Sequence, residues 1–476
     1  MSILKNIRLG LLHVAVAITF VLINGILNRV MIHDMQILAS VVAVLVVLPY
    51  LLSPLQVWIG QYSDTHPIAG YRRTPYIALG LLLCIGGAVV TPHVALLMAG
   101  NFVLGLLLGV LAFGAWGFGY NLAVVAYLSL ASDLSDERHR SRTIAVMWFM
   151  MIASVILTAI IASRALEPYS AAQLVRVFRI GGLIALVLGA IGLVGLEPRI
   201  TTTDHRPLTT DNGSEVVAGR RSPALPFDPS TSLRGTTLRN RGVERSVVGQ
   251  SRHSQRAAIR AVINNPQARR FFIYLILLLA AILGQDILLE PYGAQEFGMT
   301  VRQTTQLTAT WGGMMLIALL LWGLLLSRWL SKKIGALIGA LIATAGLLLI
   351  AVSGLLDLEA LFVPGIAALG FGTGFATSTN LALMLDMTTP EQVGLFIGAW
   401  GLADALARGA GMLLGGVVRD LVSGATGNPS SGYITVFLIE AIMLAGSLLL
   451  LRALDVTAFR SRQPTLTELV TLAGDA

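Results

Sequence analysis

Two carboxylates in one apolar stretch of the sequence are the first candidates for chemistry. Asp286 and Glu290 are four residues apart, so on an α-helix they share a face, where like charges repel unless a cation or a proton intervenes. Ionisable residues inside a membrane helix cost about 2.5–3.5 kcal/mol each and therefore indicate a function or a specific partner. Arg29 is the expected partner. A structural ion pair and a ligand or proton site both fit this spacing.

A later apolar stretch carries a second pair of charges. Asp404 and Arg408 are also four residues apart, so they can neutralise each other within one helix or face a ligand.

His13 could give a neutral ring nitrogen to the magnesium of a chlorophyll, although a lone histidine more often hydrogen-bonds to a neighbouring helix. Glu440 has no partner that the sequence assigns. Further polar candidates for ligand binding are Asn28, Gln285, Tyr292 and Asn380.

The composition places these residues in a membrane protein. The 476 residues are 55% hydrophobic and 12% charged, whereas about 25% of the residues in soluble domains are charged. Apolar runs of about 20 residues or more recur, which is the length that crosses a hydrocarbon core as a helix. The single cysteine, Cys84, argues against a thiolate cluster. Because no P-loop, nucleophile elbow, metal motif or dinucleotide fingerprint occurs in a suitable context, we expect neither an enzyme nor a metal ion or nucleotide cofactor.

The hydropathy pattern predicts the elements that must position the charges. It indicates an all-α membrane protein of about twelve transmembrane helices in two six-helix halves. The first apolar stretch has no small-residue cleavage site, so we expect it to be retained as a span. The predicted spans are about 9–31, 37–60, 75–92, 97–130, 143–165, 176–196, 270–291, 307–330, 334–354, 359–386, 392–418 and 432–453.

Basic residues indicate the orientation, because Lys and Arg are retained on the cytoplasmic side of a membrane. With the N-terminus inside, 26 of the 33 Lys and Arg residues fall on that side. We therefore expect a multi-pass protein of the bacterial inner membrane with both termini cytoplasmic. The net charge of +8 then reflects topology, and we expect no nucleic-acid partner.

Two similar halves joined by a polar segment are the predicted organisation. We expect an N-terminal half at 1–196, a cytoplasmic, largely disordered basic linker at 197–268, a C-terminal half at 269–455 and a cytoplasmic tail at 456–476. The linker is rich in Arg, Ser, Thr, Gly and Asp and lacks long apolar runs. Asp133 after the fourth span has a counterpart in Asp386 after the tenth. Parallel six-helix repeats are the architecture of major facilitator transporters, whose ligand sites lie between the halves.

One predicted cytoplasmic loop, between the second and third spans, has the residues of a conformational latch. An Asp at a helix end can pair with nearby Arg side chains and hold a gate, while Gly permits the tight turn. This pattern resembles the signature loop of the major facilitator superfamily, and we expect it to be structural. Its residues are Gly60, Asp64, Gly70, Arg72 and Arg73.

Longer strings resemble one branch of that superfamily, the PucC/LhaA family of phototrophic bacteria. The string around Asp286 and Glu290 is far more specific than the transporter loop. The resemblance extends over both halves, from about residue 5 to 455. The matching strings are Leu27–Ile32, Ile59–Ile77, Gln285–Gly293, Gly394–Gly401 and Gly415–Asp420.

The resemblance implies a light-harvesting complex assembly factor that delivers or inserts bacteriochlorophyll into antenna polypeptides. It implies bacteriochlorophyll as cargo, and the cytoplasmic or photosynthetic membrane as the location. The expected partners are membrane lipid together with antenna polypeptides, the reaction-centre core or chlorophyll synthase. Two alternatives stay open at this point: a proton-coupled small-molecule transporter of the major facilitator type, and an antenna-assembly scaffold without a ligand.

Overall fold

A computed structural model describes residues 3–135, 137–199, 266–386 and 393–454, which are helical almost throughout. Helix α1, Ile3–Val21, continues through two π-helical segments, Leu22–Leu27 and Val30–Asp34. The first half goes on with α2 Ala39–Leu51, α3 Leu55–Thr65, α4 Thr74–Gly100, α5 Phe102–Leu134, α6 Glu137–Ala165 and α7 Ala171–Leu193. The second half contains α8 Pro266–Leu283, α9 Leu289–Phe297, α10 Val301–Leu324, α11 Lys332–Leu355, α12 Glu359–Asp386, α13 Val393–Thr426 and α14 Pro429–Arg452.

Eleven helical segments within the described ranges are long and apolar enough to cross a membrane. They correspond to eleven of the predicted spans, and the predicted all-α membrane fold is confirmed. The span predicted at 37–60 is instead two shorter helices, α2 and α3. Pro54 explains the break, because proline has no N–H and its ring clashes with the carbonyl of Tyr50, four residues earlier. The nearby carbonyl of Pro49 accepts a hydrogen bond of 2.7 Å from Nδ2 of Asn121.

Close helix contacts show the internal repeat. A Cβ added to Gly80 or Gly87 of α4 would lie 2.5 Å from a backbone nitrogen of α5. Gly339 and Gly346 of α11 have the same seven-residue spacing, and a Cβ there would lie 2.6 and 2.5 Å from backbone nitrogens of α12. Small residues let backbones approach in this way, and such packing holds membrane helices together where lipid removes the hydrophobic driving force.

The helix ends define two sides of the molecule. We call the side that carries residues 199 and 266, where the described chain stops and resumes, the linker side, and the opposite side the far side. Asp133 and Asp386, the predicted repeat pair, both lie in the last turn of their helices on the linker side. The rest of the predicted linker, at 200–265, and the predicted tail at 456–476 lie outside the described residues.

Each half ties the start of its third span to the end of its last span on the linker side. In the first half, the Glu197 carboxylate accepts hydrogen bonds of 2.7–3.1 Å from the backbone N–H groups of residues 72–74, at the start of α4. In the second half, Nζ of Lys333 donates to the carbonyls of Arg452 and Leu454 at 3.0 and 2.7 Å. Both ties satisfy backbone groups that a helix end leaves free.

Two adjacent glycines of α4 test the packing argument. We expect Gly87→Ala to lower the midpoint of heat-induced aggregation in detergent, because its Cβ would lie 2.5 Å from the backbone nitrogen of Trp116 and such overpacking costs about 1–3 kcal/mol. Gly86→Ala is the matched control, since a Cβ there has no neighbour within 4 Å. Equal midpoints for the two variants would show that α4 and α5 are not in this close contact.

Candidate functional site

Helix α1 departs from regular α-helical geometry in its far-side half. Leu22–Leu27 and Val30–Asp34 are π-helical, and Asn28 and Arg29 lie between them. A π-turn inserts an extra residue into the helix and turns the following side chains to a new direction, and it is often found at functional sites. The irregular stretch is buried almost throughout.

The counterpart of α1 in the second half is interrupted at the same depth. Gly284–Ile287 forms a 3₁₀ turn between α8 and α9. Pro291 explains the break, because it cannot donate a hydrogen bond to the carbonyl of Ile287 and its ring clashes with that carbonyl. Asp286 and Glu290 therefore lie on different segments, and the predicted shared helical face is wrong.

The two interruptions meet between the halves. Nδ2 of Asn28 lies 3.4 Å from the backbone carbonyl oxygen of Asp286, to which it donates. Interrupted helices at corresponding positions of two repeats are the usual place of a binding site in membrane transporters. We call Asn28, Gln285, Asp286, Glu290 and Arg408 the helix-break site.

Arg408 is the charged partner of Asp286. Its Nη1 lies 2.9 Å from Oδ2 of Asp286, and its guanidinium carbon lies 5.3 Å from the centre of the Tyr50 ring on α2. Asp404 is more distant, with 3.8 Å between its Oδ2 and Nε of Arg408. The predicted pair within α13 is thus present as the weaker contact, and Asp286 takes the stronger one from another helix.

Arg29 does not pair with Asp286 or Glu290, and that prediction is wrong. Its guanidinium forms an ion pair with Asp34 and donates to the carbonyl of Met299 at 3.3 Å. The π-helical geometry after Arg29 brings Asp34, five residues later, to the same side of the helix. Arg29 therefore joins the two halves near the far side and lies outside the helix-break site.

Glu290 is held by a hydroxyl group. Oγ1 of Thr308 donates to its Oε1 at 2.7 Å, whereas Oε2 is buried and has no hydrogen-bond partner in the part of the chain that the structure describes. Gln285 donates to the carbonyl of Ile282 at 3.1 Å and to Oδ1 of Asp286 at 3.2 Å. The site thus contains a carboxylate oxygen that could accept one more hydrogen bond or a proton.

Two predicted site residues lie elsewhere. Tyr292 is buried among aromatic rings, with centroids 5.1 Å from Phe437 and 5.5 Å from Phe362, which is a packing environment. Asn380 accepts a hydrogen bond of 2.9 Å from the hydroxyl of Tyr274 on α8, closer to the linker side. The structure brings neither of them to the helix-break site.

His13 forms a separate aromatic group on the linker-side half of α1. Its ring centroid lies 5.3 Å from that of Tyr127 and 5.7 Å from that of Trp148. His13 is buried, and its Nδ1 has no hydrogen-bond partner among the described residues. Trp148 is half-exposed. The predicted alternative, a histidine hydrogen-bonded to a neighbouring helix, is thus not found at Nδ1.

The predicted latch loop is a tight turn on the linker side. Gly70 has a φ of +80°, a conformation that glycine adopts without strain. Arg73 is buried, and it donates to Oγ of Ser63 at 2.6 Å and from Nε to Asp133 at 3.4 Å. The side chain of Asp64 is not among the described ones, so its pairing with Arg72 or Arg73 stays a prediction, and Gly60 packs against α5.

Contacts on the far side join the halves and were not predicted. The carboxylate of Asp420 accepts hydrogen bonds from the backbone N–H groups of Ala39 and Ser40, at 3.2 and 2.8 Å. Arg302 forms an ion pair with Glu167 across the halves. No local sequence pattern indicates that a carboxylate in one half binds the first N–H groups of a helix in the other half. Tyr50 and Thr308 were missed for a related reason, since aromatic and hydroxyl residues are common in membrane helices.

The helix-break site can therefore hold a polar group or a proton inside an apolar surrounding. It has one guanidinium, that of Arg408, and two carboxylates, of which Asp286 pairs with Arg408 and Glu290 is bound to the hydroxyl of Thr308. Asp404, beside the site, competes for the same guanidinium. Asp286 and Arg408 are mostly buried, with 14% and 18% of their side chains exposed. Loss of Arg408 would therefore leave a buried carboxylate without its counter-charge, and loss of Asp286 would leave Arg408 with only the more distant Asp404.

This pair makes a testable double-mutant cycle. We expect Asp286→Asn to destabilise the protein by about 3 kcal/mol, because Arg408 would lose its nearest counter-charge. Asp286→Asn combined with Arg408→Gln should recover much of that loss, as measured by the midpoint of heat-induced aggregation in detergent. Asp404→Asn is the control, and we expect about 0–1 kcal/mol for this more distant and more exposed partner. Additive effects in the double variant would contradict direct pairing.

Comparison with known sequences identifies relatives over most of the chain. A family model described as "PUCC protein" matches residues 26–225 and 236–459. Protein PucC of Rhodovulum sulfidophilum is 31% identical over 427 residues, which cover 88% of this chain and 85% of the relative. Protein PucC of Cereibacter sphaeroides is 30% identical over 471 residues, with 96% and 94% covered. A protein named "Bacteriochlorophyll synthase 44.5 kDa chain" of Rhodobacter capsulatus is 28% identical, with 88% of each chain covered.

Solved structures share the fold at low sequence identity. A bacterial homologue of the human lysosomal transporter Spinster, in an inward-facing and unoccupied conformation, superposes with a TM-score of 0.67 at 12% identity, over 98% of this chain and all of that chain. A variant of the nucleoside transporter NupG gives a TM-score of 0.62 at 14% identity, over 94% of this chain and 99% of that one. The chain is thus a multi-pass membrane protein with the major facilitator superfamily fold, and it belongs to the PucC family.

Proposed function

We propose that this protein is a light-harvesting complex assembly factor that delivers or inserts bacteriochlorophyll into antenna polypeptides in the inner membrane of a phototrophic bacterium. The observation that carries the proposal is the family match over both halves. A relative that covers 88% of the chain is named as a bacteriochlorophyll synthase chain, which supports a place beside the pigment-synthesis machinery. The partners that we propose for this role are antenna polypeptides, the reaction-centre core or chlorophyll synthase.

The group around His13 supports a pigment as the cargo. A bacteriochlorin is a flat, apolar macrocycle whose magnesium accepts one axial ligand, and neutral imidazole is a common ligand of metals. His13 is buried between the rings of Tyr127 and Trp148, with Nδ1 unpartnered in the described part of the chain. Such a site offers an apolar wall and one basic nitrogen, whereas the helix-break site offers charge.

The absorption spectrum of the purified protein tests the proposal. We expect the tagged protein, extracted in mild detergent from its phototrophic host and freed of antenna complexes by gel filtration, to carry a bacteriochlorophyll band in fixed proportion to protein. His13→Leu should lose most of this band, because the apolar wall would remain without the axial nitrogen. His93→Leu is the matched control, since His93 is exposed and lies beside Arg179.

The same preparation separates the three functions. A colourless wild-type protein that still retains antenna polypeptides would replace the pigment carrier by a scaffold. A colourless protein that retains neither would favour the transporter. A pigment band that persists in His13→Leu would keep the carrier function and move its binding site away from His13.

A proton-coupled transporter of the major facilitator type is the second candidate, and one observation favours it. Glu290 lies at paired helix interruptions between the halves, and its buried Oε2 lacks a hydrogen-bond partner among the described residues. Interrupted helices at the midplane form substrate and coupling-ion sites in transporters. Uptake into proteoliposomes that depends on a proton gradient and is lost in Glu290→Gln would establish this function.

A further inference from the structure

Glu440 is a buried carboxylate outside the helix-break site. It lies at the middle of α14, and only 2% of its surface is exposed. Neither of its carboxylate oxygens has a hydrogen-bond partner in the described ranges. Several kcal/mol are needed to bury a charge in this way without a counter-charge, so a carboxylate here requires a ligand that neutralises it.

The surroundings of Glu440 decide which ligand that is. It lines a small pocket between α8, α13 and α14, whose other walls are apolar or glycine. Divalent metal ions in oxygen sites require about six or more ligands, and one carboxylate does not supply them. A proton needs a single carboxylate. Its lining includes Gly411 and Gly415 and the apolar side chains of Leu414, Val436 and Met443.

Glu440 packs directly against the interruption between α8 and α9. A Cβ added to Gly284, the first residue of the 3₁₀ turn, would lie 2.7 Å from Oε1 of Glu440. A Cβ on Gly411 of α13 would lie 2.8 Å from Cα of Gly284. The carboxyl group therefore occupies space that the missing side chain of Gly284 leaves open, and it lies directly against the backbone of the turn.

We propose that Glu440 is a proton-binding site of the second half, and that its bound proton stabilises the interrupted form of the α8–α9 helix. A neutral acid fits the apolar pocket, whereas an ionised one would draw in water or a cation and displace the 3₁₀ turn. Asp286 lies two residues after Gly284 and would move with that turn together with its contact to Arg408. The inference applies to either candidate function.

The other charged groups on neighbouring helices do not neutralise Glu440. Asp286 acts on it with a like charge, and Arg408 is held by Asp286 and Asp404. On α9, Glu290 is bound to Thr308 and Glu296 is also acidic. Near the far side, Arg419 contacts the ring of Tyr433 and pairs with Asp420 at 2.9 Å. On α8, the hydroxyl of Tyr274 donates to Asn380. The other charged groups that the structure describes on these helices lie at their linker-side ends, namely Arg269, Arg270, Lys332, Lys333 and Arg452.

The arrangement belongs to the second half alone. Helix α7 is the counterpart of α14 in the repeat, and its sequence over Ala171–Leu193 has no acidic residue. The Glu440 carboxylate is therefore not needed for the packing that the two halves have in common.

Infrared spectroscopy of the full-length protein at neutral pH tests for the proton. We expect the wild-type minus Glu440→Gln difference spectrum to contain the C=O stretch of a protonated carboxylic acid, shifted in D2O. Glu359→Gln, at an exposed residue in the first turn of α12, is the control and should remove only an ionised carboxylate band. If the wild-type minus Glu440→Gln difference spectrum instead contains the band of an ionised carboxylate, the proposal is overturned.

Two further measurements keep the test decisive. If Glu440→Gln does not purify as a single species, wild-type protein is treated with dicyclohexylcarbodiimide. A protonated carboxyl adds across its C=N bond to give an O-acylisourea, whose acyl group then moves from oxygen to nitrogen to give a stable N-acylurea. An adduct mapped to Glu440 supports the proposal, and adducts on other buried carboxyls without one on Glu440 overturn it.

Hydrogen exchange tests the effect of the proton on the helix. Protection of the amides of residues 284–289, corrected for intrinsic rates, should fall as pH rises in the wild type and stay constant in Glu440→Gln. An equal pH response in both proteins would overturn the link between the proton and the turn.

Discussion

The bilayer core has no water to hydrogen-bond a free peptide group, and this constraint governs the centre of the molecule. Both α1 and the α8–α9 helix give up regular hydrogen bonding there. The π-helical segments keep backbone hydrogen bonds of their own, whereas the 3₁₀ turn receives a donor from another element. Asn28 of the first half donates to the backbone carbonyl of Asp286 in the second. The contact between the halves is therefore a requirement of backbone chemistry as well as of side-chain packing.

Arg408 organises the charges around this junction. Its guanidinium faces Asp286 on the interrupted helix, Asp404 on its own helix and the ring of Tyr50 in the other half. An arginine offers several donors in a fixed plane, so it can hold partners on three elements at once. The two carboxylates together can carry two negative charges, whereas the guanidinium carries one positive charge. The site therefore suits a ligand that brings a proton or a hydrogen-bond donor.

The helices could be predicted from the sequence because length and hydropathy determine a membrane span directly, and all but the span broken at Pro54 were found. The residues of the candidate site were also found, because ionisable groups stand out in apolar stretches. The partners of these residues were not predicted correctly. Arg29 was assigned to Asp286 on the assumption of two regular helices, although Pro291 already indicated a break. Tyr50 and Thr308 could not be predicted, because their approach depends on helix rotations that tertiary packing sets.

Asp420 gives the far side of the molecule an unusual property. Its carboxylate is the acceptor for the first two N–H groups of α2, a helix of the other half. Most helices carry their own cap within the preceding residues, and such a cap contributes about 0.5–2 kcal/mol. Here the stability of a helix end depends on the position of a separate half. Separation of the halves on this side and fraying of α2 would be one cooperative event, so local folding and large-scale movement share a single equilibrium.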